Sequence, residues 1–222
     1  TKDISVEEFI VNRFGKGVHD NLFEPFLKGV YAGNTREMSA KYSLKNLWKL
    51  QLSYRSLIIG FLFSKKNKKS EIIYFKNGFN QLIESIKNKL NGNIECSNKI
   101  VSIEKKENYF LVRTDKKEKY ICNKIYFTVP AYSLSIIKFI GLKLPNFNNV
   151  RYNPIDVIHL GFKRKNANDK ISGFGLLTRK VDNKNFLGVL FNSEIFPNVC
   201  SKKNHLITVL LGGDDQKDIV NF

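Results

Sequence analysis

Leu57-Ile58-Ile59-Gly60-Phe61-Leu62-Phe63-Ser64-Lys65-Lys66-Asn67-Lys68-Lys69-Ser70-Glu71-Ile72-Ile73-Tyr74-Phe75 is the stretch in which the chain changes texture. Before it, apolar residues recur at helical spacing; after it come short β-leaning runs between turns. The lysine run is an expected exposed loop and the first boundary. An apolar face followed by four lysines also suits a helix lying on anionic lipid, the alternative being a buried helix end and a solvated loop. Working back toward Thr1, Leu44, Leu47, Trp48, Leu52 and Leu57 predict a helix over 39–60. A second helix is expected over 19–27, and Gly29-Val30-Tyr31-Ala32-Gly33-Asn34 then interrupts the periodicity. Ser5 with Glu8 reads as a cap for the first helix, with Gly15-Lys16-Gly17 as its end.

On the other side of the lysine run, Ile72–Phe75 reads as a strand, Lys76-Asn77-Gly78 as a turn and 79–90 as a helix with Leu82, Ile83, Ile86 and Leu90 on one face. A meander follows, with strands expected at 94–96, 100–104, 109–114, 120–121 and 124–129. A second boundary falls near 130–149, where a short helix over 133–140 gives way to a linker containing Pro145. The runs 155–162, 173–177, 186–191 and 206–211 then suggest a second sheet. The fold class is α+β, in three parts: residues 1–66, 67–132 and 133–222.

A formal net charge of +17 over 222 residues invites a nucleic-acid reading. The residues behind it do not support one. Thirty of the 37 basic residues are lysine, they scatter through almost every segment, and 25 asparagines accompany them, as in an AT-rich genome. That pattern describes a solvated surface, with anionic lipid or a carboxylate ligand as the remaining uses of a basic face. Cys96, Cys122 and Cys200 form no paired motif, which suits a reducing compartment, and His19, His159 and His205 are too scattered to suggest a metal site. No apolar run approaches the ~20 residues that span a bilayer. There is no Walker loop, GxSxG elbow or HExxH motif, so any chemistry is expected to belong to a cofactor.

Several segments, in order, carry a resemblance: Ser5-Val6-Glu7-Glu8-Phe9; Lys28-Gly29-Val30-Tyr31-Ala32-Gly33-Asn34 with Met38-Ser39; Tyr54-Arg55-Ser56-Leu57; Phe75-Lys76-Asn77-Gly78-Phe79 with Leu82; Phe127-Thr128-Val129-Pro130-Ala131; Gly173-Phe174-Gly175-Leu176-Leu177; Leu187 to Ser193 with Phe196-Pro197; and Leu210-Leu211-Gly212-Gly213. Together the chain resembles the protoporphyrinogen oxidase branch of the flavin-containing amine oxidase superfamily. The resemblance implies a helical, membrane-docking, substrate-side region at 1–66, the middle of an FAD-binding domain at 67–132 and an incomplete mixed-sheet substrate domain at 133–222. Nothing in the chain matches GxGxxG, so that fingerprint is expected before Thr1 and the closing flavin segment after Phe222. A fragment of this kind is expected to bind FAD poorly and not to turn over alone.

The implied site residues are Ile100, whose backbone meets the adenine end of FAD, and a substrate wall of Phe174, Gly175, Leu177, Leu190 and Leu210, with Gly29 beside the reacting part of the substrate. Thr128-Val129-Pro130 could approach the cofactor. Without the resemblance the wall residues and Ile100 would read as core, and Gly29 as a helix-ending glycine. No residue is assigned as a catalytic acid, base or metal ligand. The implied reaction takes hydride from a porphyrinogen to FAD, with dioxygen as final acceptor. Protoporphyrinogen and coproporphyrinogen both remain open as substrate. A carotenoid-desaturase-like flavoprotein and a basic binding module stand as rivals. The expected partners are the porphyrinogen, dioxygen, a membrane surface and a second copy as homodimer, with no nucleic acid. The expected location is cytoplasmic, on the inner face of a bacterial membrane.

Overall fold

The structure, a computed structural model, describes residues 2–63, 73–90, 92–147, 149–166, 171–196 and 198–220. It divides into two units: Thr1–Ser70 with Asn153–Phe222, and Glu71–Tyr152. The lysine run 65–69 and Ile72 lie outside the described residues.

Helix α1 (Val6–Phe14) begins as its sequence predicts. The Ser5 hydroxyl accepts from the Glu8 N–H at 3.1 Å, Glu7 and Glu8 occupy the positive first turn, and Gly15 ends the helix at φ 83°. A single turn, α2 (Lys16–Val18), leads into a π-helix at His19–Phe23 and then α3 (Glu24–Tyr31). The wider π turn sits just before Pro25, whose ring in a regular helix would meet the Asn21 carbonyl. Gly29 therefore lies inside α3 and does not end it. The end comes at Ala32, in the left-handed region at φ 50°.

The helix expected over 39–60 is three pieces: α4 (Ala40–Ser43), α5 (Lys45–Tyr54) and α6 (Leu57–Phe63). Leu44 (φ −112°, ψ 42°) and Arg55 (φ 54°) leave helical geometry between them. The break lets Trp48 and Leu57 turn into one core with Val6, Phe9, Ile10, Leu27 and Ala40. The Phe9 and Trp48 rings lie 5.6 Å apart, and the Arg13 guanidinium stacks 3.9 Å over Phe9.

The second unit holds α7 (Asn80–Lys89) and a sheet of β1 (Ile100–Lys105), β2 (Phe110–Thr114), β3 (Lys119–Cys122) and β4 (Lys138–Ile140), in the order β3-β2-β1-β4. The first three strands form an antiparallel meander and β4 joins parallel to β1. Three expectations differ here. Residues 73–75, 94–96 and 124–129 are not strands, because no neighbouring strand among the described residues offers them a ladder. The helix expected over 133–140 is a 3-10 segment (Ala131–Ile136) followed by β4, since β1 accepts Lys138–Ile140 as a partner. That pairing also keeps 133–152 in this unit and moves the expected boundary at 132/133 to 152/153.

Back in the first unit, β5 (Ile155–Lys163), β6 (Gly175–Leu177), β7 (Gly188–Leu190) and β8 (Asn204–Gly212) form an antiparallel sheet in the order β5-β8-β7-β6, with α8 (Asn192–Ile195) after β7. The helices and this sheet are one unit because the Ala32 carbonyl accepts from Asn153 Nδ2 and the Asp214 N–H, each at 2.9 Å. The α+β class stands, in a different grouping from the three consecutive parts expected.

Candidate functional site

Strand register decides which of the expected wall residues meet. Gly175 pairs with Leu190, Leu190 with Thr208 and Thr208 with His159, one row across four strands. The neighbouring row runs Leu177, Gly188, Leu210, Val157. Side chains alternate along a strand with a period of two, so both rows stand on one face of the sheet. Gly175, Leu177, Leu190 and Leu210, drawn from three strands spread over some thirty-five positions, thus share a surface. Leu177 and Leu190 are 45% and 40% exposed, so the face is open enough to be covered by a ligand.

Gly29 reaches the same face from α3. A Cβ at Gly29 would lie 2.5 Å from Leu177 Cδ2, and one at Gly188 would lie 2.8 Å from the Leu176 carbonyl oxygen and 3.0 Å from Leu177 Cδ2. Gly175, at φ 151°, is closer still: its Cβ would lie 2.1 Å from the Val189 carbonyl oxygen. Glycine is what allows these backbones to approach. Phe174 stands one residue before β6, where alternation alone would put it on the other face. Phe174 is 68% exposed and follows Gly173 (φ 96°), and the register does not place it in the rows of the other four.

Two polar groups on this face escaped the sequence reading. His159 Nδ1 lies 2.8 Å from Thr208 Oγ1, and the Thr208 hydroxyl donates to Asn192 Oδ1 at 2.6 Å. The period-two spacing from Val157 to His159 would have placed His159 here once β5 was aligned with β8.

Ile100 lies in the second unit, at the start of β1. The β1–β4 ladder begins only at Ser102, and the register of β1 on β2 shifts between Ile100 and Ser102. Ile100 and Val101 therefore have no strand partner on the β4 side among the described residues. An aromatic base that bonds to backbone groups fits such an open edge. Val129, 49% exposed, adds apolar surface in the same unit without a strand to carry it.

Asp182 is held below the usual carboxylate range by hydrogen bonds from the Arg179 side chain and backbone. Tyr120 is pushed up to about 12, chiefly by its hydrogen bond to Glu95. The structure does bring His19, Asp20 and Glu24 within 4.8 Å of one another, a grouping that the scatter of the three histidines conceals. Each already has a protein partner: His19 bonds Asp20 at 2.7 Å and Thr35 at 3.0 Å, and Glu24 pairs with Lys28 at 3.4 Å. A cavity of about 180 Å³ beside Lys28, Thr178 and Arg179 is too small for a drug-sized ligand, whose clefts run to ~300–1,000 Å³. The open sheet face has no such limit.

Helices packed on an antiparallel sheet in one unit, with a mixed sheet in the other, are the architecture of the amine-oxidase-like flavoproteins. A crystal structure of an Exiguobacterium sp. 255-15 protein provisionally named protoporphyrinogen oxidase matches with a TM-score of 0.79 at 17% identity, over 96% of this chain and 46% of that one. The family pattern described as Flavin containing amine oxidoreductase matches residues 1–222, and the chain belongs to that family. FAD is the cofactor that goes with it. Among curated relatives, the chain is 26% identical to the chloroplastic protoporphyrinogen oxidase of Nicotiana tabacum over 98% of its own length and 45% of that protein's. It is 29% identical to the protoporphyrinogen oxidase of Dictyostelium discoideum, over 96% and 50%. The chain spans about half the length of the curated relatives it matches.

Proposed function

We propose that the protein to which this chain belongs is a porphyrinogen oxidase, oxidising protoporphyrinogen IX to protoporphyrin IX with FAD as hydride acceptor and dioxygen as final oxidant. The observation that carries this reading is the apolar face built by Gly175, Leu177, Leu190 and Leu210, with Gly29 closing on Leu177. A tetrapyrrole is wide and apolar, and needs a surface of this kind rather than a deep polar cleft. The names of the relatives support the substrate class.

When bound, FAD supplies the two-electron acceptor. The chain's own residues hold and orient. Leu177, Leu190 and Leu210 cover the macrocycle and exclude water; Gly175 and Gly188 let β6 and β7 approach closely enough to hold those leucines in one surface. Phe174 flanks it with an exposed ring. Ile100 and Val101 offer an open strand edge to the adenine end of the cofactor, and Thr128-Val129-Pro130, in the same unit, is a second stretch that approaches it. No side chain of this chain is needed as acid or base. The chain alone is expected to retain little FAD.

The test uses the full-length protein with FAD bound. Porphyrin fluorescence should appear on addition of protoporphyrinogen IX, faster than with coproporphyrinogen III. Leu177→Arg should lower kcat/KM at least tenfold, equivalent to ~1.4 kcal/mol of lost binding, while leaving the FAD content unchanged. Oxidation of neither porphyrinogen, or a Leu177→Arg protein as active as wild type, would refute the reading.

A further inference from the structure

The polar pair on the wall has a geometry that an apolar macrocycle site does not require. Thr208, 4% exposed, donates its hydroxyl proton to Asn192 Oδ1, an oxygen that can only accept. Its oxygen must then accept from His159, so the His159 proton sits on Nδ1. In the neutral imidazole this tautomer leaves the lone pair on Nε2. Of the three histidines, His19 and His205 are buried at 3% and 1%, whereas His159 is exposed and its Nε2 makes no hydrogen bond to a described residue.

The surroundings suit a flat ring bearing a metal. His159 is in the row of Leu190 and beside the row of Leu210 and Val157. Gly161, the next residue on the same face of β5, has open space where a Cβ would stand. An imidazole whose Nδ1–H is fixed by a hydrogen-bond acceptor, with Nε2 presented above apolar surface, is the arrangement by which proteins ligate a metal through histidine. Imidazole is a ligand suited to both zinc and iron.

We propose that His159 Nε2 is an axial ligand to a metallated protoporphyrin, so that the wall takes an iron or zinc tetrapyrrole as well as a metal-free one. This rests on the reading of the face as a tetrapyrrole wall. The ligand adds a coordinate bond from Nε2 to the metal, with no change of oxidation state and no proton transferred. Because both macrocycles cover the same leucines, the metallated ring excludes the porphyrinogen. The chemistry that inserts a metal into the oxidised ring would then yield a product that returns to this wall as an inhibitor.

The experiment titrates zinc protoporphyrin IX, which is redox-silent, into the full-length FAD-bound protein and follows the Soret band. Metal-free protoporphyrin IX is titrated in parallel. Wild type should bind both, with the zinc ring's Soret band shifted to longer wavelength relative to the unligated ring. His159→Ala should retain the metal-free ring and lose the shift, and added imidazole should restore it. Thr208→Val, which removes the bond orienting the histidine, should weaken the zinc ring by ~10–100-fold. Leu177→Arg should weaken both rings together. A shift that persists in His159→Ala, or binding of the zinc ring without any shift in wild type, overturns the proposal and leaves the wall standing. Failure to bind either ring overturns the wall as well.

Discussion

Gly175→Ala is the substitution whose cost the structure fixes most closely. The added Cβ would stand 2.1 Å from the Val189 carbonyl oxygen and 3.1 Å from Leu190 Cα, both backbone atoms of the paired strand. Neither can move without parting β6 from β7. Overpacking of this kind costs ~1–3 kcal/mol, and holding alanine at φ 151° adds a strain of the same order. There is an escape, because β6 has only three residues and lies at the edge of the sheet. Peeling it away forfeits a few hydrogen bonds at ~0.5–1.5 kcal/mol each. The expected penalty is therefore about 3 kcal/mol, confined to the hairpin. Hydrogen exchange reads it residue by residue. The Thr178 and Phe191 amides, which bond Leu187 and Phe174 carbonyls across the β6–β7 hairpin, should exchange ~100-fold faster, at ~1.4 kcal/mol per tenfold. The Leu187 amide, bonded to Leu210 on the β8 side at 2.7 Å, should not change. Gly29→Ala is the control. Its clash is with a methyl of half-exposed Leu177, which can rotate, and a helix-interior alanine gains up to ~1 kcal/mol over glycine. Thermal stability should hold while Leu177 is displaced on the wall. Wild-type protection at Thr178 and Phe191 in Gly175→Ala would refute the argument.

Phe9→Ala, removing a fully buried ring that contacts Trp48 and carries the Arg13 guanidinium over its face, should cost ~3–5 kcal/mol in denaturant unfolding monitored by the fluorescence of Trp48; a loss below ~1.5 kcal/mol would contradict the packing described. Glu104 is held below the usual carboxylate range, chiefly by Lys106 and then by Arg113. Its contribution to stability should be present above the ordinary value of ~4.3 and vanish as pH falls through the depressed folded value. The difference in urea midpoint between wild type and Glu104→Gln should thus close between about pH 5 and pH 2, and a constant difference would contradict the assignment. Leu62 and Phe63 are 75% and 71% exposed on α6. If this end docks on a membrane, Leu62→Ser with Phe63→Ser should reduce sedimentation of the full-length protein with phosphatidylserine vesicles, and unchanged sedimentation would place the contact elsewhere.

What the sequence disclosed was local. Ser5 and Glu8 define a helix start within four residues, and α7 follows from its own apolar stripe, so both were legible. The run 124–129 looks like a strand by composition, yet a strand exists only with a partner, and none is supplied among the described residues. Lys138–Ile140 shows the converse: a sequence readable as helix becomes strand because β1 has an edge to fill. Joining 1–70 to 153–222 depends on contacts such as Ala32 with Asn153 and Asp214, which no local pattern announces. At the site, the resemblance supplied the wall residues one by one. The pairing register gave Gly175, Leu177, Leu190 and Leu210 a common face but not Phe174, and His159 and Thr208 became visible only with that register.

The first unit is interrupted in sequence by residues 71–152. On a ribosome making about 5–20 residues per second, the stretch between Ser70 and Asn153 takes on the order of ten seconds to appear. Throughout that interval α3 has no β6 to receive Gly29, and the Ala32 carbonyl has neither Asn153 nor Asp214 to bond. The nascent helices must wait with that surface bare, while the 71–152 segment can begin its own meander first. The order of synthesis thus lets the second unit form before the first is complete, and leaves the α3 face exposed to chaperones or to misassociation until β6 has been made.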